Sequence, residues 1–280
     1  MDYHIRAGIP TIEDYDALRR TSLFGEMEAF SNRFLESNRV FLTDYSRKWV
    51  DDPFHNFNRQ WEYTFVFSRI RDYLKEGDKS RIRILDAGSG VTFFPYFVAS
   101  RISDSLVLCS DYDSSLGKIY SGVSRTSHEN VMFAVEDIHH PSHGPGTFDI
   151  VYCISVLEHT GDFKSIIREF KQLLTRGGLL LVTFDISIDG TAEIPIPLAE
   201  ELVDTLAGSF PVRDPVDPRP LSVVTRASEV LTSRHIRRVD PTLLPWKHPF
   251  LSVLKSMLRL RMPRGLVKNI TCFGQGFRND

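Results

Sequence analysis

The chain has 280 residues, enough for a sizeable core and too few to require two domains. Its composition, 42% hydrophobic and 25% charged, is that of an ordinary soluble globular protein. A net charge of −2 leaves no excess of Lys and Arg to neutralise phosphates, so nucleic acid is not an expected partner.

Three widely spaced cysteines, Cys109, Cys153 and Cys272, form no CxxC pair, which argues against a disulfide framework or a zinc ribbon. Cys109 and Cys153 sit in apolar runs and read as small buried hydrophobes, so a reducing cytoplasm is the expected compartment. The N-terminal MDYHIRAGIP has no basic segment followed by an apolar run, so no signal peptide is expected. No apolar run approaches the roughly 18–20 residues of a membrane helix. The basic groups Arg234, Arg237 and Arg238, and those from Lys255 to Arg264, read as solvated faces.

In chain order, Phe24, Met27, Phe30 and Phe34 recur at three- and four-residue steps and predict an amphipathic helix with a core-facing stripe. Residues 58–75 predict a second helix, with Gly77 as its stop. The pattern then changes to five strands, at 81–88, 105–113, 131–138, 148–156 and 179–186. Helices fall between them at 92–102, with Thr92 as N-cap, at 114–122, and at 162–174, closed by a turn at TRGG. The strands are nearly continuous apolar runs, as expected when both faces are covered. Such alternation predicts a parallel sheet with right-handed crossovers. Beyond it come a helix within 195–208, a proline-rich loop at 211–220, a helix at 222–232 and a last strand at 267–277. The expected division is an N-terminal helical extension or lid over 1–76, then one domain over 77–280 with a substrate cover at about 187–262.

The segment DAGSG (86–90) follows a strand and precedes a helix. Glycine lets the backbone turn there and approach a ligand closely, and the helix N-terminus behind it suits an anionic group. Asp111 ends the second strand about 25 residues after Asp86, where a ribose-binding acid stands in Rossmann-type units. Asp137 ends the third. Acids at three successive strand ends are hard to explain as packing alone.

These segments, with FDIVYCISVLEH (148–159) and LLTRGGLLLVTF (173–184), resemble the class I S-adenosylmethionine-dependent methyltransferases, in that family's order and near its small-molecule branch. The resemblance implies an α/β, Rossmann-like, doubly wound fold with a mostly parallel seven-stranded sheet and N-terminal helical additions. It also implies S-adenosylmethionine as cofactor. Asp86 resembles the acid that orients the glycine loop and receives the methionine amino group. Gly88 and Gly90 resemble the glycines beside the methionine moiety, Asp111 the ribose acid, and Asp137 the adenine acid with the Ile138 backbone beside the ring. Ile154 and Ser155 match positions near the methionine portion. The chain departs from the family at Thr92, where a third glycine is common, and in its aromatic FFPYF (93–97).

The expected reaction is O-methylation of a small metabolite or sugar-containing acceptor, with N-methylation as the alternative. Oxygen is preferred because CISV stands where nucleobase-amine methyltransferases carry Asn-Pro-Pro-aromatic. His159 is the first candidate base and His140 the alternative, with Glu158 placed to orient His159 or cap a helix. His139 and His143 lie four apart, but Pro141 argues for a loop, so no metal is expected. Trp61, Tyr63, Phe65, Trp246 and Phe250 are candidates for core or pocket roof. A nicotinamide-dependent oxidoreductase lacks support because the third glycine of GxGxxG is missing. A non-catalytic scaffold has no reason to keep three acids.

Overall fold

A computed structural model describes residues 4–48, 52–77, 80–124, 129–244 and 268–280. Trp246, Phe250 and the Lys255 to Arg264 segment lie outside the described residues.

The five expected strands form, as β1 (Ile82–Ala87), β2 (Ser105–Asp111), β3 (Val131–Val135), β4 (Phe148–Ile154) and β5 (Leu174–Ser187). Their order in space is β3-β2-β1-β4-β5, all parallel. The two-residue β6 (Ile194–Pro195) pairs with the end of β5. The last strand, β7 (Ile270–Arg278), runs antiparallel along β5, with Leu179 opposite Arg278 and Ser187 opposite Ile270. The result is the mostly parallel, seven-stranded, doubly wound sheet expected from the sequence. Its alternating side chains divide the core in two. Ile84, Val107, Ile150 and Leu181 face one layer of helices, and Leu85, Leu108, Val151 and Leu180 face the other.

The first layer holds α2 (Ser22–Lys48), α3 (Phe57–Leu74), α4 (Phe94–Arg101) and α5 (Leu116–Ser124). Between β1 and α4, Phe93 occupies the N-cap position, not Thr92, whose hydroxyl accepts the Phe94 N–H at 3.3 Å. The second layer holds α6 (Phe163–Leu173) and α7 (Ile196–Ser209). Asp162 caps α6 through the Ser165 N–H.

Several expectations change. β5 begins at Leu174, so the expected TRGG turn is strand; Gly177, at φ +73°, and a register shift opposite Phe148 and Ile150 absorb the irregularity. A seven-residue helix, α1 (Ile12–Leu18), precedes α2 and is opened by a Thr11–Asp14 capping box. The helix expected at 222–232 is only one turn, α8 (Leu221–Val224); Thr232 instead caps α9 (Ser233–Val239).

Two segments expected to cover substrate lie in the sheet's own layers. α3 packs on β4, β5 and β7, with Trp61, Phe65 and Ile70 fully buried. α7 buries Ala199, Leu202 and Leu206 beside Phe184 and Phe273. The α2 stripe is core-facing: Phe24 and Phe34 meet Phe54 and Tyr96 at 5.1 Å, and half-buried Phe30 meets Phe97 at 5.4 Å.

Close packing of α3 on β7 requires glycine at 274, where a Cβ would stand 2.8 Å from the Trp61 ring and 3.1 Å from Phe65. Gly274→Ala should therefore destabilise the fold by about 1–3 kcal/mol, the usual cost of overpacking, in urea unfolding. A change within about 0.5 kcal/mol would show that the indole has room to move.

Candidate active site

The glycine loop at the end of β1 is held from three sides. The Gly88 and Ser89 N–H groups both donate to the Ser110 carbonyl at 2.9 Å, and Gly90 N–H donates to Asp111 Oδ2 at 3.0 Å. From α5, the Tyr120 hydroxyl donates to the Gly90 carbonyl at 2.8 Å. From α2, the Tyr45 hydroxyl accepts the Val91 N–H at 3.1 Å. Gly88 has φ +73°, and a Cβ there would lie 2.6 Å from Val156, so both backbone and space demand glycine.

Asp86 was expected to orient this loop, and it does not. Ser110 and Asp111 take the loop's N–H groups, while Asp86 is buried and accepts the Tyr152 hydroxyl at 3.1 Å. Burial pushes its carboxyl up to about 8, against the Tyr152 hydrogen bond, which lowers it. Half-buried Asp111 accepts from Gly90 through one oxygen and from the Asp113 N–H, at 3.0 Å, through the other.

Asp137 lies two residues beyond the end of β3, is exposed, and is bonded by the His139 backbone N–H at 2.9 Å and ring Nδ1 at 2.7 Å. Those bonds hold its carboxyl below the usual range. Half-buried Ile138 follows. His143 packs on Phe148 and stands 3.3 Å from Glu136, while His140 is exposed in the same turn. Among the described residues no group of three or more His, Cys, Asp or Glu could hold a metal. This turn follows β3, which β2 and β1 separate from β4 in the sheet.

Past the end of β4, beyond half-buried Ile154, Ser155 is held at φ +52°, a strained region for a residue with a Cβ. Its N–H donates to the Thr183 carbonyl at 2.9 Å and its hydroxyl to Glu62 Oε1 at 2.8 Å, while Arg59 donates to it. Arg59 also pairs with Glu62 and stands 3.7 Å from Asp185 Oδ2. The Asn58 amide donates to both Asp185 oxygens, at 3.0 and 2.8 Å. Glu158 Oε1 accepts the Asp185 N–H at 3.0 Å, so it neither orients His159 nor caps a helix. Burial raises Asp185 to about 7, against Arg59, and raises Glu158 well above the carboxylate range, with Asp185 adding to that rise. His159 lies at the rim, its side chain 58% exposed and Nδ1 3.6 Å from Glu193. Desolvation lowers its pKa against the pull of Glu193, with Arg59 and Lys268 lowering it further, so the ring is neutral at pH 7.

Asn58, Arg59, Glu62 and Asp185 were missed from the sequence. Signals for them exist: Asp185 is a lone acid in the apolar strand LLLVTFDI, and Arg59 and Glu62 are spaced i, i+3 in an otherwise aromatic helix. A groove of about 1010 Å³ between residues 4–11, α7 and the loop around Asp214 contains none of these groups.

Residues 85–182 match the family model described as a methyltransferase domain. The fold is shared with solved structures. The N-methyltransferase NodS from Bradyrhizobium japonicum WM9, in complex with S-adenosyl-L-homocysteine, is 15% identical at a TM-score of 0.50, over 85% of this chain and 98% of that one. Coclaurine N-methyltransferase bound to N-methylheliamine and S-adenosylhomocysteine is 13% identical at 0.50, over 96% and 95%. The [4+2]-cyclase SpnF is 18% identical at 0.50, over 98% and 99%. No curated protein matches the chain. Since one fold carries both transferase and cyclase, the family match, not the fold, defines the class. Residues 85–182 therefore carry a methyltransferase domain, and the fold around them is shared with structures that hold S-adenosylhomocysteine.

Between the ordinary aspartate range and about pH 8, native Asp86 holds a proton that the unfolded chain has lost. Stability therefore falls as pH rises through that window, and the cost is complete above about 8. Asp86→Asn should melt higher than wild type at pH 8.5, with the gap narrowing toward pH 4. A gap independent of pH would contradict the assignment.

Proposed function

We propose that this methyltransferase acts on a small-molecule acceptor bound over the ends of β4 and β5, with the cofactor lying from the glycine loop to the turn after β3. The observation that carries this reading is the grouping of Ser155, Arg59, Asp185, Glu158 and His159 beyond β4, one strand from the glycine loop that follows β1. A buried polar floor of that kind gives a small ligand oriented contacts.

The residues present fit the cofactor's groups. Asp86 would take the methionine ammonium, whose charge would favour ionisation of that buried acid. Tyr45 accepts a hydrogen bond from the loop and keeps its own proton to donate to the carboxylate. Asp111 retains lone pairs for the ribose hydroxyls, and Asp137 with Ile138 would meet the adenine edge. Gly88 and Gly90 keep the loop clear of Cβ atoms, and Ile154 and Ser155 would flank the sulfur end. Bound there, the cofactor supplies a methyl group on a good leaving group, so alignment and removal of one proton are what the protein must add.

His159 is the proposed proton acceptor. Its ring is neutral at pH 7 and exposed enough to pass a proton to water. His140, in the turn after β3, would serve only an acceptor lying across the cofactor. Of the N-terminal helices, α2 reaches the proposed cofactor end at its C-terminal part, through Tyr45 on the loop and Phe41 against Gly122, whereas α3 packs on β4, β5 and β7.

Methyl transfer from labelled cofactor to a panel of small amines, alcohols and phenols tests the function. Asp111→Ala should weaken S-adenosylhomocysteine binding by about 1–3 kcal/mol in calorimetry. His159→Ala should cut turnover about 100-fold or more with cofactor affinity within a few-fold, and wild-type rate should fall at low pH as the imidazole titrates. A His159→Ala protein that keeps its turnover would remove the base assignment. Unchanged cofactor affinity in Asp111→Ala would remove the ribose assignment.

A further inference from the structure

Behind Ser155 the charges do not balance. Glu62, Glu158 and Asp185 surround a single guanidinium, Arg59, which already serves Glu62, Ser155 and Asp185. The Asn58 amide nitrogen is spent on both oxygens of Asp185. Two buried oxygens, Asn58 Oδ1 and Glu158 Oε2, then have no hydrogen-bond partner among the described residues. An unmet buried polar atom is destabilising, so each such atom in a folded protein calls for an explanation. Here both lie beside a surplus of acid at the proposed acceptor end.

Charge and donor count together select the ligand. An alcohol brings one donor and no charge. An aliphatic ammonium brings two or three N–H donors and one positive charge, which matches two unmet oxygens and one unbalanced carboxylate. Burial raises the carboxyls of both Glu158 and Asp185, and an ammonium placed beside them would favour their ionised forms. The other charged or titratable groups that bear on Asp185 and His159 are Arg59 and Glu62 on α3, Glu193 after β5, Lys268 before β7, and Cys272 on β7, whose thiol is pushed up by burial.

We propose, on the methyl-transfer reading above, that Asn58, Glu158 and Asp185 form the receptor for the acceptor's ammonium group, so that the acceptor is an aliphatic amine. This reverses the oxygen preference drawn from the sequence; the missing Asn-Pro-Pro-aromatic segment speaks against nucleobase amines and leaves aliphatic ones open. The bound ammonium gives one proton to neutral His159, leaving a lone pair on nitrogen. A carbon–nitrogen bond then forms as the methyl–sulfur bond breaks, and that bond's electron pair stays on sulfur. The product leaves as an ammonium, and the imidazolium returns its proton to water.

The test compares n-butylammonium with n-butanol, and benzylammonium with benzyl alcohol, binding to the full-length protein with S-adenosylhomocysteine present, by ligand-observed NMR. At least one amine should bind about tenfold or more tightly than its alcohol, the scale of a charge-assisted hydrogen bond. That preference should shrink as pH falls through about 7, where Asp185 takes up a proton. Asp185→Asn and Asn58→Ala should each erase it while S-adenosylhomocysteine affinity stays within a few-fold. A wild-type protein that binds S-adenosylhomocysteine but holds no amine above its alcohol overturns the proposal. So does a preference that survives in both variants. Failure of the wild type to bind S-adenosylhomocysteine would instead overturn the methyl-transfer reading.

Discussion

The guanidinium of Arg59 allows the ends of β4 and β5 to carry acids in a water-poor place. Glu62 is fully buried and Asp185 nearly so, and carboxyls in such a place need a charged partner. Arg59 sits in the first turn of α3, so the same contact that neutralises the acids ties that helix to Ser155 beyond β4 and to Asp185 on β5. It also helps hold Ser155 in its left-handed conformation, a strained state that persists only where surrounding bonds fix it. A floor shaped in this way is organised before any ligand arrives, which is the condition for electrostatic groups to act without reorganisation.

The two ends of the site are built by different means. At the proposed cofactor end, the loop is fixed by backbone hydrogen bonds from β2 and by two tyrosine hydroxyls, and the acid beneath it, Asp86, is kept near neutral by burial. At the proposed acceptor end, side chains from α3, β5 and the turn after β4 interlock around one cation. Helix α2 crosses above the first end, while α3 is part of the wall of the second. The aromatic N-terminal region therefore serves both ends: α2 bonds the glycine loop through Tyr45, and α3 packs on β4, β5 and β7.

Most of the sheet was legible because parallel strands covered on both faces leave near-continuous apolar runs, and the acids and glycines at their ends stand out against them. The start of β5 was not, because two adjacent glycines read as a turn while the strand simply passes through a positive-φ Gly177. The short α8 and the displaced α9 were lost because Val224, Ala227 and Leu231 fall at helical spacing across a segment whose helix ends at Val224. The acid cluster was hidden for another reason: it joins residues 58–62, 155–158 and 185, and only the β1–β4–β5 topology with α3 across it brings them together. Asp185, alone in an apolar strand, was the residue that could have pointed to it.

Arg59 compensates the buried acids and thereby holds the proposed acceptor end together. Urea unfolding of Arg59→Met at pH 7.5 measures it directly. Removing one partner of a buried ion pair leaves uncompensated charge, so the variant should lose about 3–5 kcal/mol, with part of the loss recovered by adding Glu62→Gln. A variant as stable as the wild type would mean that Glu62 and Asp185 do not depend on that cation, and the account of the site would fail.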